Sequence, residues 1–307
     1  MASVAVVASP EQQLAWEARQ RPRAGVLAIL AGAMTLSGFV WTAVAFRDIP
    51  RSGFAQSLAA SAEPGAAGTR PSLRLNEFQF YDDRALTFIG SSLVRGLAYL
   101  AFAWALTFLA AATRARRPEL PRIVVYIGLV GAVLAAFATI LSGVGTVLAV
   151  QDFLDGPRTV DAAGDVAKNS LLQTANLISL LAPLGVAAGV LLVSLNAMRV
   201  GLLTRFLGVL GMICGGLSVF SQFVFAFVAT FWLVAIGLIF LGRPESTVPP
   251  AWRTGKAEPW PSQRELAESR RSAREQAAPS PEPEAVPAAT GARGHPSSKK
   301  RKRKRRN

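Results

Sequence analysis

The amino-acid sequence predicts an all-α polytopic membrane protein, a transmembrane helical bundle of about six spans with a disordered C-terminal tail. Hydrophobic residues make up 51% of the 307 residues and are concentrated in long apolar stretches. The connecting loops alternate between arginine-rich and acid-rich, and beyond Gly242 the composition changes abruptly to Pro, Ala, Glu, Ser and Arg. A segment of that composition cannot bury enough apolar surface to fold.

A helix needs about 20 mainly apolar residues to cross the hydrocarbon core of a bilayer. Four stretches meet this requirement directly. The fifth, from Phe206 to Gly242, would be about 55 Å long as one helix, so it is predicted to form two short spans that turn near Ser221 and Gln222. The six predicted spans are residues 24–46, 93–112, 123–150, 171–193, 203–220 and 223–242.

Basic residues predict the orientation, because Lys and Arg near the ends of spans are concentrated on the cytoplasmic side. Six spans place four arginine-rich segments inside: the N-terminal segment 1–23, residues 114–122, residues 199–205 and the tail, 243–307. Acidic residues outnumber basic ones in the outer loops, of which the first is 47–92. Five spans would export the basic tail. We therefore expect a multi-pass protein with both termini in the cytoplasm.

The kind of membrane is predicted from composition. Arg, Ala and Gly are abundant and Lys is almost confined to the last nine residues, a bias typical of a GC-rich genome, which indicates a bacterial inner membrane. Ala43-Val44-Ala45 resembles a signal-peptide cleavage site. The apolar run before it has about 20 residues, beyond the usual 7–15 of a signal core, so an uncleaved first span is predicted.

The segments outside the spans also carry predictions. Residues 76–92 mix aromatic and polar residues and are expected to form an interfacial helix that leads into the second span. The adjacent Asp82 and Asp83 are expected to form a solvated acidic turn rather than a metal site, because neighbouring side chains on a helix point about 100° apart. Trp252 and Trp260 are expected to lie at the headgroup level, where aromatic residues are enriched.

The chain ends in a run of eight consecutive basic residues, which stay extended because they repel one another and can bind a polyanion. Anionic lipid headgroups are the expected partner, since each Lys or Arg near the membrane surface contributes about 1 kcal/mol. Nucleic acid or a ribosome is the alternative partner, and a tail that only orients or solubilises the chain is the third reading. The run consists of Lys299, Lys300, Arg301, Lys302, Arg303, Lys304, Arg305 and Arg306.

Several residue types that catalysis needs are missing from the spans. The one histidine, His295, lies in the tail, and the spans hold no Asp, Glu or Lys away from their ends. His-based proteolysis, His-ligated metals and carboxylate-based proton relays therefore lack their residues. Cys214 is expected to be a packing residue. We predict no catalytic, cofactor-binding or metal site, and no enzymatic activity.

Polar residues of three spans are predicted to lie in the same half of the bilayer. One reading is an outward-facing polar cavity for an anionic or amphiphilic ligand, with Arg95 as its charge. The other is that Arg95 extends to the headgroups while the neutral residues form hydrogen bonds between helices, each contributing about 0.6 kcal/mol. The cluster consists of Arg95, Ser142, Thr146, Gln173 and Asn176.

Two small-xxx-small patterns predict close helix packing. Gly185 and Gly189 lie in the fourth span, and Gly211 and Gly215 lie in the fifth. Because these spans are consecutive, the two glycine faces are expected to pack on each other within one chain, with a homo-oligomer built on either face as the alternative. Pro183 is expected to kink the fourth span just before its glycine face.

The sequence from Gly201 to Gly211, GLLTRFLGVLG, with Gly242-Arg-Pro and the segment PPAWRTGKAEPWP at 249–261, resembles uncharacterised multi-spanning membrane proteins of actinobacteria. The similar proteins carry Pro where Thr204 stands. The resemblance covers about a fifth of the chain and implies a six-helix bundle without an established activity. The preferred interpretation is a non-enzymatic membrane scaffold whose basic tail binds a polyanion. The alternative is a small transporter or ligand-binding sensor that uses the Arg95 cluster.

Overall fold

A computed structural model describes residues 9–50, 70–244, 248–260 and 267–272. In these ranges the chain is helical and contains no β-strand, which confirms the predicted all-α class. The chain divides into two compact units, residues 1–260 and 261–307. The helices of the first unit are α1 (Pro10–Ala45), α2 (Leu75–Asp83), α3 (Ala85–Arg116), α4 (Arg122–Asp155), α5 (Val160–Val166), α6 (Ser170–Arg199), α7 (Arg205–Phe220), α8 (Gln222–Phe240) and α9 (Ala251–Thr254).

Five of the described helices, α1, α3, α4, α6 and α8, are long and apolar enough to cross a membrane. The shorter α7 is apolar and about 24 Å long. It forms an antiparallel hairpin with α8, because the chain is extended only at Ser221 and Trp232 Nε1 donates a hydrogen bond to the Leu207 carbonyl (3.0 Å). The predicted turn at Ser221 is confirmed. The fold is thus a bundle of five full-length helices completed by one short helix.

The five full-length helices and the shorter α7 form a closed ring in which each neighbour runs in the opposite direction. Contacts follow the order α1, α3, α4, α6, α7 and α8, and α8 returns to α1. The last contact is tight, since Thr230 Oγ1 donates to the Gly32 carbonyl across α8 and α1 (3.1 Å). Helix α3 also contacts α6 across the ring. The first and last long helices of the chain are therefore direct neighbours.

The glycine faces pack differently from the prediction. Gly185 and Gly189 of α6 lie against Gly131 and Gly128 of α4, so close that a Cβ added to Gly189 would overlap the Gly128 backbone. The expected mutual packing of the two glycine faces is therefore wrong. Glycines on both helices allow the backbones of α4 and α6 to touch.

Helix α7 uses its own glycines on another side of α6. A Cβ at Gly215 would come within 2.9 Å of the Ala187 carbonyl, and a Cβ at Gly211 would overlap the Ser194 hydroxyl. The fourth and fifth predicted spans are thus neighbours, as expected, but through a different face of α6. Gly128 and Gly131 are three residues apart and therefore do not form the Gly-xxx-Gly pattern that marks the glycine faces of α6 and α7.

Side-chain caps explain where several helices begin. Ser9, which precedes Pro10 at the start of α1, forms a capping box with Gln12 in the first turn. Asn169 accepts hydrogen bonds from the first backbone amides of α6, and Thr204 accepts one from Leu207 in α7. Ser221 does the same for α8, where it accepts from Val224. The local sequence therefore determines the break at Ser221, because this residue ends α7 and caps α8.

The Trp segment, residues 248–260, packs on the end of the ring where α3 and α6 finish. Trp252 is 3% exposed, and its Nε1 donates to the Leu202 carbonyl (2.9 Å). Trp260 Nε1 donates to the next carbonyl, that of Leu203 (2.8 Å). The expectation that disorder starts at residue 243 is wrong for this segment, and Trp252 is buried against protein groups rather than exposed to lipid headgroups. The basic run at 299–306 lies outside the described residues.

The opposite end of the ring carries the short helices α2 and α5. Helix α2 overlaps the predicted interfacial helix, and its Phe78 stacks edge-on against Phe153 of α4 (4.7 Å between ring centroids). Asp82 accepts a hydrogen bond from Gln151 (3.2 Å). At the loop before α6, a hydrogen bond from Lys168 to Asp165 (2.8 Å) raises the pKa of the lysine ammonium. This end therefore has a small core of its own, apart from the core of the ring.

Candidate functional site: a cavity around Arg95

A cavity of about 420 Å³ lies inside the ring, between α1, α3, α4, α6 and α8. This volume falls within the range of small-molecule sites. Its apolar wall includes Phe39, Phe225 and several alanines. Its polar lining residues are Thr35, Arg95, Tyr99, Thr139, Ser142, Ser179 and Gln222. Arg95 is the one charged residue in this lining, and we refer to the space as the Arg95 cavity.

The position of Arg95 depends on a glycine of the neighbouring helix. The arginine stem crosses Gly38 of α1, where an added Cβ would lie only 2.7 Å from Arg95 Cγ. A methylene close to the backbone cannot move aside as easily as the tip of a side chain, so any larger residue at position 38 would displace the arginine. Gly38 therefore positions Arg95, a role that no pattern in the sequence indicated.

The charge of Arg95 is not balanced within the described residues. Its Nε is buried and has no hydrogen-bond partner there, and none of the ion pairs in that part of the chain includes Arg95. A buried polar group without a partner is unfavourable, more so when it is charged. An anion in the cavity would supply the missing partner.

Most other polar groups of the cavity already have partners. The hydroxyls of Thr35 and Thr139 each donate to a carbonyl one turn earlier in their own helix, at 2.7 Å. Each hydroxyl hydrogen is thus engaged and only the oxygen remains available, as an acceptor. Gln222 accepts a weak hydrogen bond from Tyr99 (3.5 Å) and donates one to the Ser218 carbonyl (3.3 Å). Arg95 is therefore the principal donor that the cavity offers to a ligand.

The structure brings only part of the predicted polar cluster together. Arg95 and Ser142 line the cavity. Thr146 lies one turn from Ser142 and donates to its carbonyl (2.8 Å), without lining the cavity. Gln173 and Asn176 are exposed and also do not line it. The reason is the rotation of α6, whose glycine face is held against α4 and whose Ser179 and Pro183 line the cavity instead.

A second polar cluster lies at the other end of the ring, where the Trp segment packs. Arg116 and Glu17 form a buried ion pair, with Arg116 Nη2 at 3.0 Å from Glu17 Oε2, and the same nitrogen donates to the Ala251 carbonyl (2.7 Å). The guanidinium of Arg21 lies 4.9 Å from the centre of the Trp252 ring and donates to the Ile239 carbonyl (2.7 Å). The Nε atoms of Arg21 and Arg116 are also buried without a partner, but a terminal nitrogen of each arginine binds a protein group, so this cluster joins α1, α3, α8 and the Trp segment.

The described ranges contain no residues arranged for metal or thiol chemistry. No group of three or more His, Cys, Asp or Glu residues lies close enough together there to hold a metal ion. Cys214 is fully buried and packs with Phe225 and Ala229. The Arg95 cavity is thus the place in the described chain where the geometry points to a ligand.

Comparisons of the chain with protein-family models, with curated proteins and with solved structures find no match. The resemblance to actinobacterial membrane proteins therefore stays a prediction. Fold and site define a class, a polytopic α-helical membrane protein with an internal cavity that carries one unbalanced positive charge. Its function has to be argued from that cavity.

Proposed function

We propose that this protein binds the anionic group of a small ligand in the Arg95 cavity and acts as a small transporter or a ligand-binding sensor. The observation that carries the proposal is the buried, unpartnered Nε of Arg95 in a cavity of about 420 Å³. Ionisable residues inside membrane segments are costly and usually mark a functional site. A carboxylate or phosphate accepts bidentate hydrogen bonds from a guanidinium, which makes such groups the natural ligands.

We further propose that the protein lies in a bacterial inner membrane with both termini in the cytoplasm. The support is the concentration of arginines at the end of the ring that holds the Trp segment, including Arg114, Arg116, Arg117 and Arg205. The positive-inside tendency directs such an end to the cytoplasm. The cavity would then lie nearer the outer side, because Arg95, Ser142 and Ser179 belong to the other halves of their helices.

The proposed role is non-enzymatic. The lining of the cavity contains Ser, Thr, Tyr, Gln and Arg but no His, Cys, Asp or Glu. General acid–base catalysis and nucleophile activation usually rely on those missing types. Binding and release of a ligand require none of them, and this argues for a transporter or sensor.

A second proposed role belongs to the basic run at 299–306, whose eight consecutive cations favour binding to anionic lipid headgroups. We propose that this run makes the protein a membrane scaffold, independently of the cavity. The test compares the full chain with a chain lacking residues 299–307 for binding to vesicles with 30% phosphatidylglycerol. Loss of salt-sensitive binding supports the role. Unchanged binding to the vesicles, or binding of the run to RNA in preference to them, contradicts it.

The cavity is tested by equilibrium binding of radiolabelled octyl phosphate to the full chain in phosphatidylcholine nanodiscs. Arg95→Gln keeps a polar side chain but removes the charge, and hydrogen bonds to charged groups contribute about 1.5–3 kcal/mol. We therefore expect affinity to fall by about 10- to 150-fold. Arg122→Gln, at an exposed arginine outside the cavity, is the matched control and should bind like the unaltered chain. Equal binding by both variants would refute the proposal.

A further inference from the structure

The hairpin of α7 and α8 is shorter than the helices beside it. Its tip lies level with the Arg95 cavity, because Ser218 Oγ contacts the Pro183 carbonyl of α6 (3.3 Å) and Phe223 packs against Phe39 of α1 (5.2 Å between ring centroids). Helix α1 continues beyond Phe39 to Ala45, and α6 begins well before Pro183, at Ser170. Toward the end that holds α2 and α5, no described part of the hairpin stands between α1 and α6.

The lining residues on this side of the cavity reach the surface. Ser179 and Gln222 both line the cavity and are exposed, whereas Ala98, Ala138 and Phe225 of the same lining are buried. Ser179 lies about 14 Å along α6 from Ser170, at 1.5 Å per residue. This depth is within one leaflet of a bilayer whose hydrocarbon core is about 30 Å thick. The opening therefore lies below the headgroups.

The surface around the opening is apolar. Leu180 is 72% exposed on α6, and Phe220 and Phe223 at the tip of the hairpin are 86% and 57% exposed. In a membrane these side chains contact acyl chains. A molecule that arrives through this opening comes from the lipid phase, and it meets Arg95 after passing Ser179 and Gln222.

We infer that the ligand of the Arg95 cavity is a membrane amphiphile with an anionic headgroup, which moves sideways from one leaflet through the gap between α6 and the tip of the hairpin. The headgroup lies against Arg95, and the alkyl chain extends through the opening past Ser179. This inference rests on the proposed function and adds the substrate class and the route. It also accounts for a polar cavity that opens onto lipid-facing leucine and phenylalanine side chains.

The test separates an amphiphile from a water-soluble anion. The full chain in phosphatidylcholine nanodiscs is titrated with octyl phosphate and with inorganic phosphate, and each is compared with Arg95→Gln at the same lipid content, so that partition into lipid cancels. We expect Arg95-dependent binding of octyl phosphate at least tenfold tighter than that of inorganic phosphate. Ser179→Trp, which fills the opening, should weaken octyl phosphate binding at least tenfold. Leu181→Trp, at a 63% exposed position of the same helix that does not line the cavity, should leave it unchanged.

Each outcome decides a different claim. If inorganic phosphate binds as tightly as octyl phosphate and Ser179→Trp has no effect, the sideways route is wrong while anion binding at Arg95 stands. If neither ligand binds in a manner that depends on Arg95, both the route and the proposed function fail. Gln222→Phe narrows the same opening from the hairpin side, and it replaces Ser179→Trp in the comparison if that variant does not fold.

Discussion

Replacing Glu17 by Gln should destabilise the protein strongly, because it removes the charge that balances a fully buried arginine. The side chains of Arg116 and Glu17 are 0% and 2% exposed. Removing one partner of a buried ion pair typically costs about 3–5 kcal/mol, since the other charge stays buried without compensation. At about 2–4 °C per kcal/mol for a domain of this size, we expect the melting temperature to fall by about 6–20 °C.

Labelling of Cys214 can report the melting temperature. Cys214 is the single cysteine of the chain and is fully buried, so a thiol-reactive fluorophore labels it only when the bundle opens. Melting curves of detergent-solubilised protein then give the shift directly. Glu11→Gln, at an exposed position of the same helix, is the matched control. It should shift the curve by no more than about 4 °C, because an acid in the first turn of a helix contributes about 0.3–1 kcal/mol.

A double variant separates charge imbalance from lost packing. Glu17→Leu combined with Arg116→Met replaces the ion pair by apolar side chains, a change that is often neutral or stabilising in protein interiors. We expect it to recover most of the melting temperature that Glu17→Gln loses. If Glu17→Gln melts within 2 °C of the unaltered chain, the reasoning from buried charge is refuted.

Three further predictions concern the ring and its cavity. Gly189→Val should prevent α6 from meeting α4 and reduce the yield of monodisperse protein in size-exclusion chromatography, whereas Gly216→Ala, with open space around its Cβ, should behave like the unaltered chain. Gly38→Val should displace Arg95 and weaken octyl phosphate binding as much as Arg95→Gln does; retained affinity would contradict the positioning role. Trp252→Phe keeps an aromatic ring but leaves the Leu202 carbonyl without its donor, so we expect a loss of about 1–3 kcal/mol, seen as a lower melting temperature in the Cys214 labelling assay.

The spans and the hairpin turn were predictable because length and apolar composition decide them. A stretch of 37 residues from 206 to 242 is too long for one span, and Ser221 is a good N-cap within it. The rotation of each helix about its axis was not predictable in the same way. In a membrane span both the lipid-facing and the buried faces are apolar, so periodicity did not indicate that Ser179 rather than Asn176 lines the cavity.

The Trp segment escaped prediction for another reason. Its prolines and charges are typical of a disordered tail, and its stability comes from partners about 50 residues away. The carbonyls of Leu202 and Leu203, in the turn between α6 and α7, accept the two indole hydrogen bonds, and the Val200 carbonyl accepts one from the Glu258 amide (3.1 Å). Gly201, at φ +77°, leaves room for the Glu258 carbonyl where a Cβ would overlap it. Composition alone does not reveal such distant pairing.

The closed ring sets an order of events during synthesis. Gly32 and Thr230, which join the first and last long helices, are 198 residues apart in the chain. At about 5–20 residues per second, a ribosome needs roughly 10–40 s between making the two. During that interval α1 resides in the membrane without α8. The Trp segment, which binds Arg116 through the Ala251 carbonyl, has not yet been made either. Closure of the ring is therefore a late step that awaits the final residues of the membrane domain, and a truncated chain that ends before α8 would leave the α8-facing side of α1 open to lipid.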